Sequence, residues 1–229
     1  MLPVALLMGG LGTRLGPEAA KLPKALVDIN GQPFLERQLR LLVSQGFKKA
    51  VLCVGHLGDQ IEAVIGDGKR LGISVEYARD GDRLLGTAGA LRGALDRLGE
   101  AFFTLYGDSY LECDMAAAQK AFEESGKLGL MTVYRNAGRW DASNVEYSGG
   151  RIVAYDKRKP TRAMKHIDYG AGVFKSAAFE ALEPGENYDL ADVYKDLLSR
   201  GELAAYEATT RFYEIGSPEG LEETRRHLR

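Results

Sequence analysis

Residues 2–16 read "LPVALLMGGLGTRLG". The run over residues 2–8 is apolar throughout and too short for an ordinary helix, so it predicts a buried strand. Three glycines (Gly9, Gly10 and Gly12) and Arg14 follow at once. Glycines straight after a strand admit positive φ and let backbone N–H groups approach a ligand closely. An arginine beside such a loop points to an anionic ligand, phosphate first.

Working outward from that loop, strands and helices alternate. Pro33 opens a helix with Phe34, Leu35, Leu39 and Leu42 on one face. A strand at 49–54 ("KAVLCV") follows, then a helix at 56–65 that stops at Gly66-Asp67-Gly68. Next come a strand at 73–78 and a helix at 87–98 carrying Leu91, Leu95 and Leu98. The buried strand 101–106 ("AFFTLY") ends at Gly107-Asp108. The second half holds the strand-like pieces "LGLMTVY", "SNVEY", "RIVAY" and "YGAGVF", a helix at 190–199 and a last helix from Pro218. This alternation predicts an α/β fold with a doubly wound, mostly parallel sheet. No linker, low-complexity stretch or internal repeat interrupts it, so a single domain over 1–229 is expected.

A chain of 229 residues, 45% of them hydrophobic, can bury a sizeable core. Thirty Lys+Arg against 32 Asp+Glu leave a formal charge of −2, without the basic excess that nucleic-acid binding needs. The apolar runs fall well short of the roughly 20 residues of a membrane span. No charged-then-apolar leader precedes the first strand. Cys53 and Cys113 stand on separate elements without metal-type spacing, so a reducing cytoplasm is expected rather than a disulfide scaffold.

Two familiar phosphate loops can be set aside. No Gly-Lys-Ser or Gly-Lys-Thr occurs, which excludes the P-loop pattern. Gly10, Gly12 and Gly16 miss the dinucleotide fingerprint by one residue, and Pro17 and Pro23 disfavour a regular helix directly afterwards. A third possibility is a loop that wraps a nucleoside triphosphate through its amides, with Arg14 on the phosphates; the alternative is an ordinary glycine turn with solvated basic residues. Lys21 and Lys24 follow in "KLPKAL", and Lys24 can hold a second phosphate. Asp108, at the carboxyl edge of an apolar strand, suits Mg²⁺, which prefers carboxylates plus phosphate oxygens.

The segments "GGLGTRL…KLPKAL", "PFLERQLRLL", "LGTAGALRGAL", "YGDSYLE" and "FYEIGSPEGL" occur in this order over nearly the whole chain. In them the protein resembles the sugar-1-phosphate nucleotidyltransferases. It looks most like the minimal heptose-1-phosphate guanylyltransferases, with the N-acetylmuramate-1-phosphate uridylyltransferases second. The resemblance implies a Rossmann-like nucleotide-diphospho-sugar transferase fold and an NTP-binding part at about 1–112. A sugar-phosphate-binding part at about 113–229 is implied too, along with Mg²⁺ as cofactor and room for a homodimer. It implies Arg14, Lys24 and Asp108 as catalytic residues. Met8, Gly9, Gly10, Gly12, Thr13, Arg14 and Lys21 would bind the nucleotide, together with Asp80, Gly86, Thr87 and Gly89. Gly107, Glu146, Asp156, Lys157, Asp168 and Tyr169 would bind the sugar phosphate, and Asp108 and Glu214 the metal.

Two positions depart from the family pattern. Glu214 stands where aspartate is usual, and Tyr106 where asparagine is common. Gly81 occupies the place of a base-reading glutamine found in uridylyl and thymidylyl members, five residues before Gly86. Asp80 can accept from guanine or from uracil, so the base stays open between them. A guanylyltransferase for a heptose- or mannose-type sugar phosphate leads; a uridylyltransferase for N-acetylmuramate-1-phosphate or another hexose-1-phosphate is the alternative. Asp80-Gly81-Asp82 also matches the short metal motif of glycosyltransferases, although Asp-Gly is ordinary turn chemistry. A catalytically inactive regulatory subunit is the reading from another class. His56, His166 and His227 form no metal or triad pattern, and Thr87 suits a helix N-cap.

Overall fold

The computed structural model describes residues 1–9, 22–55, 57–81 and 83–229. The first half runs β1 (Val4–Leu7), a small hairpin of β2 (Asp28–Ile29) and β3 (Gln32–Pro33), α1 (Phe34–Ser44), β4 (Lys49–Val54), α2 (Gly58–Ile65), β5 (Ser74–Arg79), α3 (Gly86–Leu98) and β6 (Ala101–Tyr106). Then follow β7 (Ser109–Leu111), α4 (Met115–Ser125), β8 (Gly129–Tyr134), the hairpin of β9 (Val145–Ser148) with β10 (Arg151–Tyr155), and β11 (Ile167–Lys175). The chain closes with α5 (Leu190–Ser199), β12 (Leu203–Ala208), β13 (Phe212–Glu214) and α6 (Pro218–His227).

Seven strands form the central sheet in the order β12-β8-β11-β6-β1-β4-β5. Every neighbouring pair is parallel except the two made by β11, which runs against β6 and β8. That reversal matters for the site. With Ala171 opposite Leu105, the start of β11 lies at the edge where β6 ends.

Side chains alternate across β1 as strand geometry requires. Val4 and Leu6 pack with Leu35, Leu39 and Leu42 of α1, Ile61 and Ile65 of α2 and Phe122 of α4. Ala5 and Leu7 face the opposite layer, with Leu91 and Ala94 of α3 and Tyr194 and Leu197 of α5. A strand covered on both faces is nearly all apolar, which is why β1, β4 and β6 read as near-continuous runs.

Besides the short strands β2, β3, β7 and β13, the sequence reading lacks helix α4 and strand β12. Helix α4 shows a thin buried face of Met115, Ala118 and Phe122 among alanines and polar residues. Its ends mark it better: the Asp114 side chain accepts from Ala117 N–H at 2.9 Å, and Gly126 closes it in the left-handed region. Strand β12 is an edge strand of mostly half-buried residues, so its alternation is faint. Among the described residues no helix is long and apolar enough to cross a membrane. Cys53 and Cys113 are buried free thiols.

Candidate active site

A cleft of about 470 Å³ opens at the carboxyl edge of β1, β4, β5 and β6. Open α/β sheets bind ligands at this edge. Met8 and Gly9 enter it from β1, Gly55 from β4, Asp80 from β5, and Tyr106, Gly107 and Asp108 from β6. Parallel pairing persists to the rim: Met8 N–H donates to Cys53 C=O and Gly107 N–H to Leu7 C=O, both at 2.9 Å. A Cβ on Gly107 would lie 2.6 Å from Met8 Cγ, so glycine lets these two strand ends close up. Leu22 and Leu84 are about 40% exposed at the mouth (41% and 42%), an apolar rim suited to a flat ring. In the same cleft, burial raises the pKa of the Asp80 carboxyl, while the Leu85 N–H 3.5 Å away partly offsets this.

Beyond the rim lies an ionic centre. Lys24 follows Pro23 in a short 3-10 turn, and its Nζ meets Asp108 Oδ2 at 2.6 Å. The Ser109 hydroxyl donates to Asp108 Oδ1 at 3.3 Å. Antiparallel pairing of β13 with β7 sets Glu214 opposite Ser109. The Glu214 carboxylate turns toward the start of α6, accepting from Gly216 N–H and, at 2.6 Å, from the Ser217 hydroxyl. Ser217 caps α6, accepting from Gly220 N–H at 3.0 Å. The point where a Gly216 Cβ would sit is 2.5 Å from Glu214 Oε2, 2.9 Å from Lys24 Nζ and 3.6 Å from Asp108 Oδ2. Two carboxylates and one ammonium therefore face a space that glycine leaves open. No group of three metal-ligating side chains occurs among the described residues.

The start of α3 is tied to the second half of the chain. Ala88 N–H donates to Tyr188 C=O at 2.9 Å, and Tyr188 N–H donates to Leu85 C=O at 2.9 Å. Thr87 does not cap its own helix, as the sequence suggested. Its hydroxyl accepts from Leu190 N–H at 2.7 Å, at the start of α5. Gly86, at φ +68°, abuts the Tyr188 carbonyl and lines the cleft with Thr87. Gly89 does not line it: its missing side chain makes room for the Glu186 carbonyl, which is packing between segments.

On the sugar side the structure separates residues that the sequence grouped. Asp168 is only 3% exposed at its side chain, paired with Lys157 Nζ at 3.3 Å, so it is buried behind Lys157. Lys157 Nζ also donates to the Tyr106 hydroxyl at 2.9 Å. Tyr169 points to the other face of the sheet, as alternation demands, and packs edge-on against Phe212 in the core. Asp156 shapes a turn, accepting from Arg158 and Lys159 N–H and pairing with Lys195 at 3.3 Å. Glu146 sits half-buried on the β9–β10 hairpin and is not among the cleft-lining residues.

Gly10, Gly12, Thr13, Arg14 and Lys21, with His56 and Asp82, lie outside the described residues. Of the other histidines, His166 faces Glu207 at 3.1 Å and His227 faces Glu112 at 2.6 Å. Asn187 and Gly216 line the cleft although they come from the second half of the chain. No local pattern marks Asn187; the Gly after "EI" in "FYEIGSP" was the available signal for Gly216.

Known proteins are similar to this chain in sequence and in fold. The chain is 27% identical over 224 residues to N-acetylmuramate alpha-1-phosphate uridylyltransferase of Neisseria meningitidis, covering 95% of this chain and 94% of that protein. It is 26% identical over 213 residues to UTP–glucose-1-phosphate uridylyltransferase of Synechocystis, covering 86% of this chain and 55% of that one. The chain thus spans little more than half of the longer relative. HddC from Yersinia pseudotuberculosis, solved complexed with GMP-PN, superposes with a TM-score of 0.81 at 24% identity, covering both chains fully, a likeness of fold. Residues 4–229 match the Nucleotidyl transferase family, which takes in every strand of the sheet and both walls of the cleft, and the chain belongs to that family.

Proposed function

We propose that the protein is a sugar-1-phosphate nucleotidyltransferase: NTP and sugar-1-phosphate give NDP-sugar and pyrophosphate. The observation that carries this reading is the convergence of Lys24, Asp108 and Glu214 on the space beside Gly216, next to a cleft that Lys24, Asp108 and Gly216 line. A guanylyltransferase acting on a heptose- or mannose-type sugar phosphate fits Gly81, which offers no side chain to a pyrimidine. The names of the Neisseria and Synechocystis relatives favour uridylyl transfer as the second reading.

The residues present fit a divalent cation such as Mg²⁺. It takes one or two carboxylates and completes its shell with phosphate oxygens and water. Asp108 and Glu214 would hold it. When bound, it would neutralise charge on the phosphate oxygens and orient them.

The sugar phosphate attacks the α-phosphorus in line as pyrophosphate leaves. A phosphate monoester, with a second pKa of about 6, is already ionised at neutral pH. No side chain has to remove a proton. The obstacle is repulsion between two anions, which Lys24, swung from Asp108 onto the transferred phosphoryl group, offsets electrostatically. Arg14 would act on the β- and γ-phosphates. Leu22 and Leu84 would cover the base, and Asp80 would accept from its edge N–H groups. In the same proposal the chain works as one domain in the cytoplasm, where its two buried thiols stay reduced.

The test is pyrophosphate release from a matrix of NTPs and sugar-1-phosphates with Mg²⁺. One pair should turn over far faster than the rest. Nucleotide binding without turnover of any pair would replace this reading with that of a regulatory subunit.

A further inference from the structure

Three side chains from distant segments meet beside the cleft. Tyr106 ends β6 and lines the cleft, Lys157 follows β10, and Asp168 opens β11. The Lys157 ammonium sits 2.9 Å from the Tyr106 hydroxyl, 5.0 Å from the centre of its ring and 3.3 Å from Asp168 Oδ2. Asp168 is itself fixed. Its Oδ1 accepts from Gly170 N–H at 3.1 Å, its backbone N–H donates to Asn144 at 2.9 Å, and the Tyr155 hydroxyl lies 3.5 Å from Oδ2. Neighbouring Asp156 is occupied by Lys195 and two backbone N–H groups, so it does not serve Lys157.

An ammonium has three N–H groups. Tyr106 and Asp168 engage two, and the Lys157 side chain keeps an open side, being 35% exposed. We propose that Asp168 and Tyr106 are positioning residues that clamp Lys157 so that its remaining N–H meets the anionic group of the sugar phosphate. This rests on the proposed function and deepens it, because Asp168 then acts through Lys157 and never touches the sugar. A long lysine side chain free in solution would lose rotamer freedom on binding a phosphate; a clamped one has already lost it. The electrostatics agree. Burial pulls the Lys157 ammonium down, but the Asp168 carboxylate and the Tyr106 oxygen more than reverse this and hold it charged.

The experiment has two arms. In the first, Asp168→Asn, Tyr106→Phe and Lys157→Met are assayed with the pair that turns over fastest in the matrix. Asp168→Asn should raise KM for the sugar phosphate about tenfold, as expected for loosening one charge-assisted hydrogen bond, with kcat and the KM for NTP nearly unchanged. In the Lys157→Met background it should add almost nothing, since coupled residues are not additive. Equal additive losses in both backgrounds would overturn the clamp in favour of a direct sugar contact by Asp168. The double variant also keeps a folded control, because it leaves no buried charge unpaired. In the second arm, acetic anhydride labels lysines in ligand-free protein, and Lys157 is followed by mass spectrometry. Asp168→Asn should speed its labelling several-fold, and an unchanged rate would overturn the clamp. This arm needs no turnover, so failure of the matrix assay condemns the proposed function without touching the clamp.

Discussion

Replacing Lys24 by glutamine should make the ligand-free protein bind a divalent cation more tightly while it destroys turnover. The ammonium lies 2.6 Å from Asp108 Oδ2, with the two side chains 15% and 36% exposed. At an effective dielectric of about 20 the gross attraction at that distance is about 6 kcal/mol. Most of it is offset by desolvation, and a hydrogen bond between charged groups is worth a net ~1.5–3 kcal/mol. The exposure of Asp108 argues for the lower end. A cation arriving at Oδ2 must displace the ammonium, so its affinity is reduced by about tenfold, the equivalent of ~1.4 kcal/mol. Lys24→Gln removes that competitor and keeps an uncharged chain of similar reach. Titrating Mn²⁺ into nucleotide-free protein, followed by electron paramagnetic resonance, should show the gain. The same variant should lose most of its kcat, because the ammonium is also needed on the phosphoryl group. Unchanged or weaker Mn²⁺ binding would refute the competition. If Asp108→Asn leaves Mn²⁺ binding intact in both backgrounds, the metal assignment itself is wrong.

Gly216→Ala places a methyl group 2.5 Å from Glu214 Oε2 and 2.9 Å from Lys24 Nζ. Turnover should fall by about 100-fold, typical of an ångström-scale misplacement, with the melting temperature nearly unchanged. Near-normal kinetics would mean that these groups do not act together. Thr87→Val strips Leu190 N–H of its acceptor at 2.7 Å; it should cost about 1–2 kcal/mol in urea unfolding, as for a lost helix cap, and raise the KM for NTP. Arg70 and Arg40, each 2.9 Å from a Glu36 oxygen, hold that carboxyl below its ordinary value near 4.5, Arg70 most strongly. Its folded-state pKa is depressed, so its contribution is present above pH 4.5 and disappears as the pH falls through the folded value. Wild type should exceed Glu36→Gln in urea stability at pH 7, and the gap should shrink as the pH falls below 4.5; a gap independent of pH would show that packing, not charge, is responsible.

Much of the fold was legible because it is written in local periodicity. The strands at 49–54, 101–106 and 151–155 and the helix at 190–199 have the bounds their patterns predict. Buried parallel strands carry unbroken apolar runs, and no polar face competes with that signal. Helix α4 and strand β12 escaped because their burial is shallow, so the periodic contrast is small. Lys24, Asp108 and Glu214 could be named from motifs: Asp108 just past the strand 101–106, Glu214 shortly before the last helix, and Lys24 in "KLPKAL".

What no local pattern contains is the meeting of segments far apart in the chain. Alternation says that Asp168 and Tyr169 face opposite ways, yet not which of them looks toward the cleft. The register of β11 on β6 decides that: with Ala171 opposite Leu105, Tyr169 joins the face of Leu105 in the core while Asp168 lies on the other face, buried behind Lys157. Gly89 looked like part of the base-binding loop, and only the structure shows that it makes room for the Glu186 carbonyl. Asn187 reaches the cleft from about a hundred residues beyond Leu84, to whose carbonyl it donates at 2.8 Å. The sequence alone determined the strand-and-helix alternation and the sheet edge at which Gly9 and Asp108 gather, and it suggested the chemistry proposed there. The tertiary structure alone decided which side chains share that edge, because facing and proximity follow from strand order and direction, which are properties of the whole chain.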